Sequence, residues 1–186
     1  MNFYETPVRG SFIVELEPQN DARGSFARAF CAQEFEAHGL NPVIAQANLS
    51  GNYMKGTMRG LHYQIAPATE EKLVRCIRGS IYDVIVDLRP GSSTYLSWYG
   101  LELSPENGRA LYVPAMCAHG CQSLTDDTEI LYLISGAHSP EYARGIRYDD
   151  PALSIEWPLP VTMVSDKDAS WPLLDAALAF RGGAAP

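Results

Sequence analysis

Long apolar runs are missing from this chain: no stretch approaches the roughly 18 residues that a membrane-spanning helix needs. Cysteine is scarce, and Cys31, Cys76, Cys117 and Cys121 are too scattered for a disulfide framework. Positive charge is also short, with 14 Lys and Arg against 22 Asp and Glu and a formal net charge of −8. That balance argues against nucleic acid and acidic membrane surfaces as partners. An anionic small molecule stays compatible only where Arg and Lys converge locally against the overall field. The opening MNFYETPVRGSF lacks the basic-then-apolar pattern of a secretory signal, so a cytoplasmic location is expected. Repeats and low-complexity blocks are absent until a Gly/Ala-rich tail. The remainder has an ordinary globular composition, 46% hydrophobic and 19% charged over 186 residues, which fits one domain. We expect a single domain over 1–180 and a disordered tail at 181–186.

Helical pattern is equally sparse. One early helix is expected over Ala32–Ala37, in CAQEFEAHG, ended by Gly39 and Pro42. Short β-branched and aromatic runs separated by turn residues then dominate. Strands are expected at Ile13–Leu16, Ala45–Asn52, Thr57–Gln64, Lys72–Arg78, Ser80–Leu88, Leu96–Leu103, Ala110–Val113, Gly120–Leu124 and Thr128–Ser135. Arg78-Gly79-Ser80 reads as a tight hairpin turn, Arg89 to Ser93 as a longer one, and Pro105 to Gly108 as another turn. The class is mainly β, a sandwich or barrel, with jelly-roll topology one natural solution. The Pro- and Trp-rich end, including Glu156-Trp-Pro158 and Trp171-Pro172, is suited to lie over a barrel mouth.

The densest chemistry is Met58-Arg-Gly-Leu-His-Tyr-Gln64. In a regular strand Gly60, His62 and Gln64 share one face, and Arg59, Leu61 and Tyr63 the other. A lone histidine there is more often a satisfied core residue than a catalyst. This one has company: His119, Lys72 at a strand start, and Tyr132 within the apolar strand Ile130–Ile134. A His base, a Lys cation and a Tyr acid would suit proton transfer next to a carbonyl, with the cation stabilising the enolate oxygen. Cys117-x-His119-x-Cys121 would put three soft ligands on one face of an extended segment, but no second cluster follows, so structural cysteines are expected.

Taken together, Asp21-x-Arg-Gly-x-Phe26, Gln46-x-Asn48, Arg59-Gly-Leu-His-Tyr-Gln64, Lys72-Leu-Val74, Gly79-x-Ile-x-Asp83, Val86-Asp87, Ala118-His-Gly120, Gly145-Ile146, Asp149-Asp-Pro151 and Lys167-Asp168 resemble the dTDP-4-dehydrorhamnose 3,5-epimerase family. The likeness runs in order from Thr6 to Asp175, and the Arg-Gly-Leu-His-Tyr-Gln and Ala-His-Gly strings are distinctive. The resemblance implies a homodimeric cupin, or double-stranded β-helix, that inverts ring carbons C3, C5 or both beside the 4-keto group of a nucleotide-diphosphate sugar. It implies that His62 is the base, oriented by Asp168, that Tyr132 is the acid on the opposite face, and that Lys72 lies beside the keto oxygen. His119 is implied in the same pocket, with Asp83 as a candidate partner. Arg23, Arg59, Gln46 and Asn48 match residues that hold the sugar nucleotide, and the N-terminal segment is one that can exchange across an interface. No cofactor or metal is implied. Metal-binding cupins usually present an early His-x-His, whereas this chain has His62-x-Gln64, and an imidazole free of metal can accept a proton.

Three positions depart from the family pattern. Gln19 replaces a usual Phe, Ala137-His138 replaces a Tyr-Tyr pair, and Arg28 replaces a Glu near the nucleotide. Lost aromatic stacking is worth roughly 0.5–1.5 kcal/mol per pair, which leads us to expect a handle other than dTDP, such as GDP or CDP. Trp171 offers a substitute stacking surface or a core side chain. Competing readings are a 3-epimerase, a keto-isomerase acting on the same kind of substrate, and a non-catalytic cupin that binds sugar nucleotides.

Overall fold

The computed structural model describes residues 1–174. The expected domain end at 180 and the tail at 181–186 lie outside the described residues. In chain order the elements are β1 (Asn2–Glu5), β2 (Phe12–Glu15), β3 (Gln19–Asp21), β4 (Gly24–Phe26), α1 (Ala32–Ala37), β5 (Gln46–Asn52), β6 (Thr57–Gln64) and β7 (Lys72–Arg78). They continue with β8 (Ile81–Asp87), β9 (Trp98–Leu103), β10 (Arg109–Val113), β11 (Cys117–Ser123), β12 (Thr128–Ile134), β13 (Ala143–Gly145), β14 (Met163–Val164) and α2 (Asp166–Ala169).

The strands form two six-stranded sheets. One runs β1-β2-β10-β7-β12-β5; the other runs β13-β6-β11-β8-β9, with β14 beside β6. From β5 to β8 each strand lies in the sheet opposite its predecessor, which is the winding of a double-stranded β-helix, the cupin jelly roll. Between the sheets lies a core of Val74, Cys76, Ile81, Ile85, Leu111, Val113 and Ile130, each at most 2% exposed. These residues alternate along their strands, as one buried face requires. The second cluster, around Leu61, Val84, Val86 and Ile146, is roofed by the C-terminal segment through Trp157. Among the described residues, no helix is long and apolar enough to cross a membrane.

Arg78-Gly79-Ser80 corrects an expectation: it does not close a hairpin. Strand β7 bonds to β10 and β12 while β8 bonds to β11 and β9, so the turn carries the chain from one sheet to the other. Val74 and Cys76 on β7 therefore meet Ile81 and Ile85 on β8 face to face inside one core. Arg89 to Ser93, by contrast, does connect paired strands, β8 and β9. Helix α1 is short and ends in a Schellman arrangement: Leu40 N–H donates to Phe35 O (2.9 Å) and Gly39 N–H to Glu36 O (3.0 Å), with Gly39 at φ +70°. Its single buried residue, Phe35, packs against Phe3, Phe30 and Tyr112 on the outer face of the first sheet.

Among the described residues, strands β3 and β4 pair only with each other, and every residue from Gln19 to Phe26 is exposed. Phe26 is 76% exposed. An isolated two-stranded ribbon is marginal in water.

Candidate active site

One cavity of about 340 Å³ opens between the two sheets, at the end carrying β5, β6, β7 and β12. It gathers His62, Asp168, Tyr132, Lys72, His119, Gln46, Asn48, Arg59 and His138. Arg59 was expected on the face opposite His62. The pairing of β6 with β11 explains the difference, because His119 faces His62 but Cys121 faces Arg59, so three steps on β6 span two on β11. This bulge re-aims Arg59 to the side of the imidazole. It needs two glycines: Gly60 sits at φ +118°, and a Cβ there would meet Gly120 Cα at 2.5 Å.

His62 is held from a distant part of the sequence. Its Nε2 lies 2.6 Å from Asp168 Oδ1. Asp168 is placed by α2, whose N-cap Ser165 accepts from the Asp168 N–H (3.1 Å). The same carboxylate accepts from Gly60 N (3.2 Å, to Oδ2) and from Trp171 Nε1 (3.2 Å, to Oδ1). Burial alone would raise the Asp168 carboxyl; the donors, His62 foremost, outweigh it and hold it below its ordinary range. An ionised Asp168 fixes the imidazole proton on Nε2 and leaves Nδ1 as the nitrogen with an open lone pair.

Across the cavity Tyr132 stands edge-on to His119, with centroids 6.0 Å apart and an interplanar angle of 80°. Burial pushes its phenol well above the usual tyrosine value, so the group stays protonated at neutral pH. His119 Nε2 is 2.8 Å from Asp83 Oδ1, its candidate partner by sequence. Asp83 is fully buried, and its Oδ2 has no partner among the described residues. Lys72, 9% exposed, pairs with Glu70 at 3.1 Å. Arg59 is clamped by Asn52 Oδ1 (2.5 Å) and Gly51 O (2.9 Å). Gln64 is fully engaged: its amide donates to Ala68 O, Glu70 and Ala137 O and accepts from Ser139 N. It ties the cavity wall together.

Arg23 and Arg28 are not brought to this cavity within the chain. Arg23 pairs with Asp21 (2.6 Å) on the free β3–β4 hairpin. Arg28 pairs with Glu34 (2.6 Å) and, with Gln19 and Phe26, lines a second cavity of about 450 Å³. Sequence reasoning passed over Ser50, Glu70, Arg144 and Lys167 as cavity residues. Ser50 was legible in principle, as the third inward position after Gln46 and Asn48; its hydroxyl and the Gln46 carbonyl are buried without a partner among the described residues. Among the described residues, no group of three or more His, Cys, Asp or Glu is arranged to hold a metal ion. Burial pushes the Cys117 thiol up to about 12 and Cys121 higher still, away from the thiolate form that ligates metals.

Comparison with known proteins converges on one family. The family model described as dTDP-4-dehydrorhamnose 3,5-epimerase matches residues 5–176. A dTDP-4-dehydrorhamnose 3,5-epimerase of Sinorhizobium fredii is 46% identical over 175 residues, covering 94% of this chain and 90% of its own. The crystal structure of a dTDP-6-deoxy-D-glucose-3,5-epimerase from Legionella pneumophila, in complex with dTDP-4-keto-L-rhamnose, has a TM-score of 0.88 at 38% identity, covering 94% and 93% of the two chains. A 3'-monoepimerase from Streptomyces bikiniensis, in complex with dTDP-quinovose, has a TM-score of 0.85 at 32% identity, covering 95% of this chain and 89% of that one.

Proposed function

The chain belongs to the dTDP-4-dehydrorhamnose 3,5-epimerase family and is a nucleotide-sugar epimerase; we propose that it inverts C3, C5 or both of a 4-keto-6-deoxy sugar through one base and one acid. The 4-keto group makes the flanking C–H bonds acidic. His62 Nδ1 removes a proton, and the electron pair moves onto O4 as an enolate. The Lys72 ammonium stabilises that oxygen, and the Tyr132 phenol returns a proton to the opposite face of the ring carbon. The imidazolium and solvent then restore both groups. Neither a metal nor an organic cofactor enters this scheme. The observation that carries the reading is the His62–Asp168 pair at 2.6 Å, open on one side to a cavity whose far wall holds a protonated tyrosine.

Turnover of 4-keto sugar nucleotides in deuterated water, followed by NMR, tests it. Deuterium entering at C3 or C5 with inversion supports the scheme and counts the sites. Migration of the carbonyl would point to a keto-isomerase, and no exchange would overturn the scheme.

We also propose a homodimer in which the β3–β4 hairpin of one chain closes the cavity of the other. The free hairpin supports this, together with the apolar Leu49 (71% exposed) and Ile77 (40% exposed) on the outer face of the first sheet. Mixing inactive Arg23→Ala and His62→Ala chains then restores part of the activity, and mixtures that stay inactive remove the exchange. A nucleotide other than dTDP, either GDP or CDP, is a second reading. It is favoured by Gln19 facing Phe26 directly across the hairpin, with Arg28 beside them, where hydrogen-bonding groups replace a stacking ring. Competition by free dTDP, GDP and CDP decides it: clear preference for dTDP removes the alternative handle.

A further inference from the structure

Trp171 offers either a stacking surface or core packing by sequence, and its position suggests a third role. Its indole N–H donates to Asp168 Oδ1 at 3.2 Å, the same oxygen that holds His62 Nε2 at 2.6 Å. Its ring meets the imidazole edge to face, with centroids 6.2 Å apart at 67°. The ring is seated directly over Gly145, where a Cβ would run into the indole, and Gly145 is the residue paired with His62 across β13 and β6. The Lys167 ammonium lies over the ring, 5.4 Å from its centroid.

We infer that Trp171 is a positioning residue that sets the basicity of His62 by sharing its carboxylate oxygen, an inference that rests on His62 being the base. A carboxylate oxygen serving two donors is drawn less strongly toward either of them. The indole N–H stabilises ionised Asp168 whether His62 is neutral or protonated, and so reduces the extra stabilisation that protonation of the imidazole gains. Without the indole, no second donor would share that oxygen, and the protonated imidazole would gain the whole of the stabilisation it offers. The indole edge also restricts rotation of the ring about its bond to the chain, keeping Nε2 on Asp168 and the lone pair of Nδ1 uncommitted. Gly145 is required because any side chain there would displace the indole.

The test replaces Trp171 with benzothienylalanine, which keeps the ring shape but has sulfur in place of the N–H, and separately makes Trp171→Phe. The readouts are the His62 titration midpoint by NMR on the resting enzyme and the acidic limb of the kcat/KM profile. We expect both to move up by about half a pH unit, with binding of free nucleoside diphosphate changed less than about twofold. Gly145→Ala should produce a shift in the same direction by pushing the ring aside. A midpoint and limb that stay in place in the benzothienylalanine enzyme overturn the inference. His62→Ala separates this failure from that of the underlying reading: lost turnover with an unmoved midpoint removes only the role of Trp171, whereas retained turnover removes His62 as the base.

Discussion

Replacing Asp168 with Asn tests the dyad at its most sensitive point. The carboxylate is 5% exposed and 2.6 Å from His62 Nε2, so its charge would be little screened as the imidazole becomes positive in the proposed transition state. A hydrogen bond to a charged group in such a setting contributes about 1.5–3 kcal/mol, or roughly 10- to 150-fold in rate. The amide brings a second effect. With its NH2 turned toward Nε2, the imidazole proton must move to Nδ1, and the lone pair then points at the introduced amide instead of the substrate. In a serine protease triad such a wrong tautomer costs about 10⁴-fold. Asp168→Asn should therefore lower kcat by about 10²- to 10⁴-fold, with KM changed only a few-fold. Deuterium exchange at C3 should slow by the same factor, because abstraction itself is impaired. A variant that exchanges at more than about a fifth of the wild-type rate would refute the reasoning. The same substitution carries a stability signature. The folded carboxyl is held below its unfolded value, so its contribution is fully present above pH 4 or so and is lost as pH falls through the folded value. The Tm gap between wild type and variant should narrow as pH is lowered from 6 toward 3.

Tyr132→Phe should keep proton abstraction but lose stereospecific return, so exchange at the base-facing position persists while net inversion falls about 10²- to 10⁴-fold; loss of both together would count against separate acid and base. Because burial raises the phenol well above its usual value, the wild-type rate should show no basic limb from this group between pH 7 and about 10 in a kcat profile. Lys72→Gln should reduce kcat by roughly 10²-fold or more with little change in KM, measured by steady-state kinetics; unchanged kcat would remove the enolate role. Asp87→Ala should lower stability by about 3–5 kcal/mol, a Tm drop near 10 °C by calorimetry, without changing activity per folded molecule. Asp87 is fully buried and accepts from Arg89 Nε (2.8 Å), Ser92 Oγ (2.6 Å) and Thr94 Oγ1 (2.7 Å), so its loss strands a guanidinium at the β8–β9 turn.

The limits of sequence reading follow from what local pattern encodes. Thr57–Gln64 and Lys72–Arg78 have the bounds expected of them, with Gly56 marking the start of the first and Gly79 the end of the second. Strands β1, β3, β4, β13 and β14 went unseen since two to four residues carry no periodicity, and β14 exists only because β6 offers it an edge. Lys72, Tyr132 and His119 converge on the cavity as inward positions of three different strands. Local pattern could not pair His62 with Asp168, 106 positions apart; only the family resemblance suggested it. Arg59 was assigned to the wrong face because a one-residue bulge is invisible to alternation, although Gly60 and Gly120 were its signature.

That bulge bears on the conflict between an acidic chain and an anionic substrate. The cavity is lined by four cations, Arg59, Lys72, Arg144 and Lys167, and two carboxylates, Glu70 and Asp168. Glu70 is engaged by Lys72, and a neutral His62 leaves the Asp168 charge in place, so the four cations exceed the two carboxylates by two. Without the extra residue in β6, Arg59 would point away and half of that surplus would be lost. A net charge of −8 spread over the surface repels an anion at long range, while a local surplus of two positive charges in the cavity lining attracts it within about one Debye length, near 10 Å at 0.1 M salt. The same distance argument explains why an acidic composition left an anionic small molecule open: net charge reports the far field, and binding is governed by the near one.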